Sequence, residues 1–143
     1  FYTGNLSLKK SWFEKFQFPN NFSCYGWEDI YLGYQMIRSG GELYYLEQAQ
    51  AFHHHDLNQS NFFPDRMLKI GYSAYTFQKL CPELNILPHG LKKFIFSVLS
   101  LSCFIKIAHY FHSELGWYAE SKKWFLKGIE QAKKENLNFP KKA

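Results

Sequence analysis

The chain is poor in cysteine, and its three cysteines, Cys24, Cys81 and Cys103, lie far apart in the sequence. No two of them have the Cys-x-x-Cys spacing of a thiolate zinc site, and they do not form the pattern of a disulfide framework. The cysteine content therefore argues against both kinds of crosslink. It predicts a reducing, cytoplasmic compartment.

Aspartate is equally scarce. Asp29, Asp56 and Asp65 are the only three, so the chain contains no Asp-x-Asp sequence, and no βαβ nucleotide-binding pattern is present either. These absences exclude a self-contained site for a nucleoside diphosphate and its metal. Phe1 is not an initiator methionine, and we expect the chain to be part of a longer protein.

Long hydrophobic runs are missing as well. The longest apolar stretch, residues 94–105, has 12 residues before Lys106, whereas a membrane-spanning helix needs about 20. The stretch is therefore too short to span a bilayer. It is long enough to lie in the plane of a membrane interface.

Positive charge is in excess, mainly in the second half of the chain. The formal net charge of +5 comes largely from lysines, including the pairs Lys92-Lys93, Lys122-Lys123, Lys133-Lys134 and Lys141-Lys142. Such pairs favour anionic surfaces, although without a nucleic-acid-binding motif they most often form a solvated helix face. We expect no nucleic-acid partner. A peripheral contact of the C-terminal helices with the inner face of a membrane stays open beside the solvated face.

Apolar periodicity and turn residues predict the order of the elements. Strands are expected at residues 2–8 and, as two short runs, within 42–52. Helices are expected at residues 9–16, 28–37, about 60–80, 91–111 and 113–136. The Ser39-Gly40-Gly41 sequence is typical of a helix end, and Pro82 ends the helix that carries Pro64 in its first turn.

The segment Gly26-Trp27-Glu28-Asp29 is the most informative in the chain. It places two adjacent carboxylates in the first turn of a predicted helix. Acids at this position stabilise a helix through its dipole by about 0.3 to 1 kcal/mol, and most of them have no other role. A positioned carboxylate can also remove a proton from a hydroxyl group as a general base. The two acids alone do not decide between these interpretations.

The neighbouring motifs favour the second interpretation. Together with Gly4-Asn5-Leu6-Ser7 upstream and Ala51-Phe52-His53 downstream, the Gly-Trp-Glu-Asp segment resembles the C-terminal half of a family 2 glycosyltransferase of the GT-A type. The resemblance implies an α/β, Rossmann-like domain. Residues 1–56 would be its acceptor and catalytic-base part, and residues 57–143 an α-helical C-terminal extension.

The resemblance also implies an activity and its participants. The activity is inverting transfer of a hexosyl or N-acetylhexosaminyl group from a nucleotide sugar to a glycan, a lipid-linked acceptor or another hydroxyl acceptor. The donor would be bound mainly by a missing N-terminal half, so the isolated chain is expected to be inactive. This is the reaction type of polysaccharide biosynthesis.

Roles for individual residues follow from the same resemblance. Asp29 would be the catalytic base, and Glu28 would help to hold the acceptor. Gly26 would let the backbone approach the ligand, and Trp27 would offer a flat face to a sugar ring or serve as a core anchor. Gly4 and Asn5 would border the donor and acceptor sites, with a structural asparagine in a turn as the alternative.

The histidine triplet is the candidate metal site. By its position after Ala51-Phe52, His53 matches the family's metal-binding histidine best, and His55 is second. Imidazole is a common metal ligand, and Mn²⁺ or Mg²⁺, largely held by the missing half, would neutralise the departing diphosphate. The alternative is a set of exposed loop residues.

Two functions of other classes compete with transfer. Aromatic residues such as Trp12, Tyr25 and Trp27 can bind glycan in a non-catalytic carbohydrate-binding module. The helices can also form a membrane-peripheral module that anchors a synthase. Binding alone does not require a base, so the Glu28-Asp29 pair favours the transferase.

Overall fold

The computed structural model describes residues 3–52 and 59–138 of the chain. Within these residues the regular structure is helical. The helices are α1 (Lys10–Lys15), α2 (Glu28–Arg38), α3 (Gln59–Leu80), α4 (Gly90–Leu99), α5 (Ser102–Phe111) and α6 (Ser113–Asn138), with 3₁₀ turns at Thr3–Asn5 and Pro82–Leu84. The predicted boundary between residues 56 and 57 lies outside the described residues and stays a prediction.

The predicted α/β, Rossmann-like fold is wrong, because the described residues contain neither a strand nor a sheet. Residues 3–5 form a 3₁₀ turn, and residues 42–52 are exposed and irregular. The two segments are joined through the side-chain amide of Asn5, which donates to the carbonyl of Ala49 at 2.7 Å. A strand needs a ladder of backbone hydrogen bonds to a neighbour. Alternating apolar residues without such a neighbour do not make one.

The helix that carries the acidic pair has the predicted limits. Helix α2 begins at Glu28 and ends at Arg38, and Gly40 follows with a φ of 86°. The N–H of Gly41 donates to the carbonyl of Met36 and that of Gly40 to the carbonyl of Ile37, each at 3.0 Å. This pair of bonds is a Schellman motif, in which glycine takes the left-handed conformation that ends a helix.

Helices α3 and α6 form the core of the described chain, and glycines allow them to cross closely. A Cβ atom on Gly71 would lie 2.0 Å from the backbone oxygen of Phe125, and one on Gly128 would lie 2.0 Å from the backbone oxygen of Leu68. Only a residue without a side chain fits at either position. Around this crossing and under α2, α4 and α5, the buried apolar side chains include Leu32, Met36, Ala74, Phe77, Cys81, Ile105, Ile129 and Ala132.

The predicted single helix over residues 91–111 is wrong, because the chain breaks into α4 and α5, which are bent by 70°. Serine hydroxyls bond to backbone carbonyls on the N-terminal side of the break. Ser97 donates to the carbonyl of Lys93 at 2.9 Å, and Ser100 donates to the carbonyl of Ser97 at 2.7 Å. Such bonds offer the backbone an alternative to helical pairing. The periodicity of the apolar residues does not reveal them.

Candidate functional site

Helix α3 holds the loop that enters the Gly-Trp-Glu-Asp segment. Ser73 is 1% exposed, and its hydroxyl donates to the carbonyl of Cys24 at 2.6 Å and lies 3.2 Å from that of Tyr25. Gly26, with a φ of 151°, sits so close to α3 that an added Cβ would lie 3.2 Å from the Cα of Ile70. Gly26 thus allows a close approach of the loop to α3, and its predicted approach to a ligand stays a prediction.

Arg66 holds the same loop from the side. Its Nη2 donates to the hydroxyl of Tyr25 at 2.8 Å, and its guanidinium lies 4.9 Å from the centre of the Tyr25 ring. Arginine over an aromatic face adds a cation–π attraction to the hydrogen bond. Arg66 lies 41 residues from Tyr25, and Ser73 lies 49 residues from Cys24. No local spacing could have assigned this task to either residue.

Trp27 packs against the core. Its ring centroid is 5.1 Å from that of Phe77, which is 1% exposed. Tyr31 and Tyr34 of α2 contact the same phenylalanine, at 6.2 and 6.5 Å. Trp27 is half-buried. Of the two interpretations of Trp27, these contacts favour the core anchor, which fixes the first turn of α2 on α3.

Glu28 has a local partner. Its Oε2 accepts the backbone N–H of Gly26 at 2.6 Å. A carboxylate that accepts a backbone N–H makes a strong, charge-assisted bond. In this arrangement Glu28 stabilises the turn that presents the segment. Its predicted contact with an acceptor stays a prediction.

Asp29 has a much weaker set of contacts. Its Oδ1 accepts the N–H of Ile30 at 3.1 Å, and in the described part of the chain no cationic side chain forms an ion pair with it. The residue is half-buried. Among the contacts of the described residues, Asp29 thus has the longer hydrogen bond of the two adjacent acids, and Glu28 has the shorter one.

A cleft of about 730 Å³ opens beside α2. Its lining includes Asn5, Trp12 and Gly33 and the exposed rings of Tyr44 and Tyr45. Asp29 does not line the cleft; it lies four residues before Gly33 on α2, a separation of about 6 Å along the helix axis. Asn5 lines the cleft, while Gly4 is exposed with no atom within 4 Å of an added Cβ.

The far end of α2 is tied to the turn after α3. The hydroxyl of Tyr34 donates to Oε1 of Glu83 at 2.5 Å, and Arg38 pairs with the same oxygen at 3.2 Å. The hydrogen bond to Glu83 raises the pKa of Tyr34, and the bond from Tyr34 lowers the pKa of Glu83. One end of α2 is therefore held on α3 and the other on the turn after it, which leaves Asp29 in a defined place.

The predicted metal ligands His53 and His55 lie outside the described residues. Among the residues that are described, no group of three histidine, cysteine, aspartate or glutamate side chains is arranged to hold a metal ion. The metal site stays a prediction from the sequence.

Comparison with known proteins finds no matching family model, no matching curated protein and no matching solved structure.

Proposed function

We propose that this chain supplies the catalytic base and the acceptor-side surface of an inverting glycosyltransferase that uses a nucleotide sugar. The proposal rests on the resemblance of its motifs to family 2 glycosyltransferases. The observation that carries it is the difference between the two acids: Glu28 accepts the N–H of Gly26 at 2.6 Å, while the one hydrogen bond that Asp29 makes among the described residues is from its neighbour Ile30 at 3.1 Å. One acid shapes the loop, and the next can take a proton.

The chemistry requires one proton acceptor on the acceptor side. As the acceptor hydroxyl attacks the anomeric carbon, its proton passes to the carboxylate of Asp29. The bond from that carbon to the nucleoside diphosphate breaks, and its electron pair leaves with the diphosphate. Attack from the opposite face inverts the anomeric configuration. A positioned general base contributes about 10² to 10⁴ in rate to such a step.

The cleft beside α2 supports a sugar as the acceptor. Tyr44 is 73% and Tyr45 is 90% exposed, and exposed aromatic rings offer apolar faces with a polar group at the edge. A sugar ring packs on such a face and hydrogen-bonds at its rim. We propose that the acceptor glycan, or the sugar of a lipid-linked acceptor, lies in this cleft with its reactive hydroxyl towards Asp29.

The donor side is not assigned to any described residue. The sequence contains no Asp-x-Asp, and His53 and His55 remain the only residues proposed to meet a divalent metal. The metal would stabilise the departing diphosphate. We propose that residues 1–143 alone bind nucleotide sugars weakly and transfer no sugar, and that the donor is held elsewhere in a longer protein.

A transfer assay on the full-length protein tests the proposal. Uridine, thymidine and guanosine diphosphate sugars are offered with glycan acceptors and Mn²⁺, and product anomers are read by proton NMR. We expect acceptor-dependent release of nucleoside diphosphate with inversion. Retention of configuration would contradict the proposed mechanism. Glycan binding without turnover of any donor would favour the non-catalytic carbohydrate-binding module.

A further inference from the structure

Helix α4 exposes an apolar face to the outside of the molecule. Leu91, Phe94, Ile95 and Val98 are 74%, 65%, 46% and 36% exposed. Their spacing of i, i+3, i+4 and i+7 places them on one side of the helix. A soluble helix turns such a face towards the core. Here it is turned away.

Helix α5 has the same arrangement. Ile107, Tyr110 and Phe111 are 56%, 84% and 78% exposed, again at i, i+3 and i+4. Leu101, in the bend between the two helices, is 52% exposed. The two short helices thus form a bent pair with an apolar residue at its corner.

The opposite faces of both helices pack on α6. Phe96 of α4 contacts Phe125 with ring centroids 6.4 Å apart, and His109 of α5 contacts Trp117 at 5.0 Å. Ile105 of α5 is buried. Other side chains of α4 and α5 therefore already pack against α6 and fill the core on that side. The exposed residues are left for something outside the described chain.

The charged residues within α4, α5 and the bend between them are all basic, although Glu120 of α6 lies 3.6 Å from His109 on the inner side of α5. Residues 84–113 contain three lysines and neither aspartate nor glutamate. Lys92, Lys93 and Lys106 are all exposed. Apolar side chains between basic ones are typical of segments that bind anionic lipid surfaces.

The geometry favours lying on a membrane over crossing it. No single helix of the described residues is long and apolar enough to span, and α4 and α5 meet that test of length and composition only as a pair bent by 70°. Their inner faces hold α6, which carries exposed Lys127, Lys133 and Lys134. Insertion across a bilayer would bury those charges at high cost.

We propose that the outer faces of α4 and α5 bind the interface of an anionic lipid membrane, with both helices in its plane. We call this surface the hairpin face and define it by Leu91, Phe94, Ile95, Ile107, Tyr110 and Phe111. The proposal is independent of sugar transfer. A second copy of the chain fits the face less well, because a symmetric contact would bring the lysines of the two copies together.

Cosedimentation with vesicles tests the proposal on the purified chain. Vesicles of phosphatidylcholine with phosphatidylserine are compared with vesicles of phosphatidylcholine alone. We expect binding to the anionic vesicles that weakens as salt is added, and weak binding to the neutral ones. Equal binding to both kinds, or binding to neither, would overturn the proposal.

Substitutions on the hairpin face locate the contact. Phe94→Glu with Ile107→Glu is expected to lower the partition coefficient more than tenfold, because both apolar side chains leave the lipid and two negative charges are added. Phe13→Glu with Phe18→Glu is the matched control. It makes the same change of charge at residues that are 53% and 42% exposed on another part of the chain. An equal loss in both pairs would show that charge alone, and not this face, decides binding.

The lysines are tested separately. Lys93→Gln and Lys106→Gln are each expected to weaken binding on the order of fivefold, whereas Lys133→Gln with Lys134→Gln on α6 should have a smaller effect. Circular dichroism of every variant checks that the helices are retained.

Two further measurements use the unaltered hairpin face. A nitroxide on the exposed Cys103 of α5, in a Cys24→Ser background, should lose access to a water-soluble relaxation agent when anionic vesicles are added. Unchanged access would contradict the proposal.

Sedimentation velocity without lipid is expected to show a monomer. A dimer that Phe94→Glu with Ile107→Glu dissociates would assign the face to a second copy instead.

Discussion

The hydroxyl of Ser73 donates to the carbonyl of Cys24 at 2.6 Å and thereby joins the middle of α3 to the loop before the acidic pair. Gly26 follows two residues later and lies against the same helix, with an added Cβ 3.1 Å from that of Ser73. The position of Asp29 thus depends on a helix far away in the sequence. A site built this way should respond to changes in α3.

Ser73→Ala tests that dependence. The substitution removes the hydroxyl from a residue that is 1% exposed and leaves the carbonyl of Cys24 without this donor. An unsatisfied buried group costs about 1 to 3 kcal/mol, so the free energy of unfolding in urea should fall by that amount. Ser97→Ala is the control, because Ser97 is exposed and bonds within its own helix. Equal effects of the two substitutions would argue against the proposed support.

Gly128→Ala tests the crossing of α3 and α6. Its new Cβ would meet the backbone oxygen of Leu68 at 2.0 Å and the backbone nitrogen of Tyr72 at 2.8 Å. Backbone atoms cannot rotate aside, so the helices must separate. We expect a loss of at least about 1 to 3 kcal/mol of unfolding free energy. Gly4→Ala, where an added Cβ meets nothing within 4 Å, should leave stability nearly unchanged. An unchanged unfolding free energy in Gly128→Ala would show that α3 and α6 lie further apart than described here.

The bond between Tyr72 and Glu135 predicts a pH dependence of stability. Tyr72 of α3 donates to Oε2 of Glu135 on α6 at 2.6 Å. This bond is the main cause of the lowered pKa of Glu135 and of the raised pKa of Tyr72. A lowered carboxyl pKa gives stability that is present above the ordinary glutamate pKa of about 4.3 and is lost as the pH falls through the folded value. A raised tyrosine pKa gives stability that is present below about pH 10 and is lost as the pH rises through the folded value.

Unfolding in urea across both pH ranges measures this effect. Tyr72→Phe should make the stability less dependent on pH in each range. Tyr75→Phe is the control on the same helix, and its stability should depend on pH in the same way as that of the parent chain. Parallel profiles for the parent chain and Tyr72→Phe would contradict the assigned bond.

Part of the fold could be predicted because its causes are local. The limits of α2 follow from the acids in its first turn and from Gly40 and Gly41 after its last, and Pro82 ends α3 by removing a backbone donor. The strands expected at residues 2–8 and 42–52 depended on a partner elsewhere. Alternation cannot supply that partner, so this prediction was wrong.

The roles predicted for the residues of the candidate site stay predictions, and the contacts that hold these residues in place could not be predicted from the sequence. The sequence order Gly-Trp-Glu-Asp indicated both acids, but the 2.6 Å bond between Gly26 and Glu28 depends on the turn of the loop. The contact of Trp27 with Phe77 joins residues far apart in the chain. Periodicity also could not show that the chain bends between Leu99 and Ser102, within the helix expected over residues 91–111.

The turnover of the full-length Asp29→Asn variant tests the central claim most directly. The substitution keeps the shape and the acceptor oxygen but removes the base, so with saturating donor and acceptor the rate should fall by roughly two to four orders of magnitude while the fold and donor affinity are retained. Asp65→Asn is the matched control, since Asp65 is exposed and pairs with Lys69 on α3; its turnover should equal that of the parent protein. Near-normal turnover of Asp29→Asn would contradict the assignment of Asp29 as the base that accepts the hydroxyl proton.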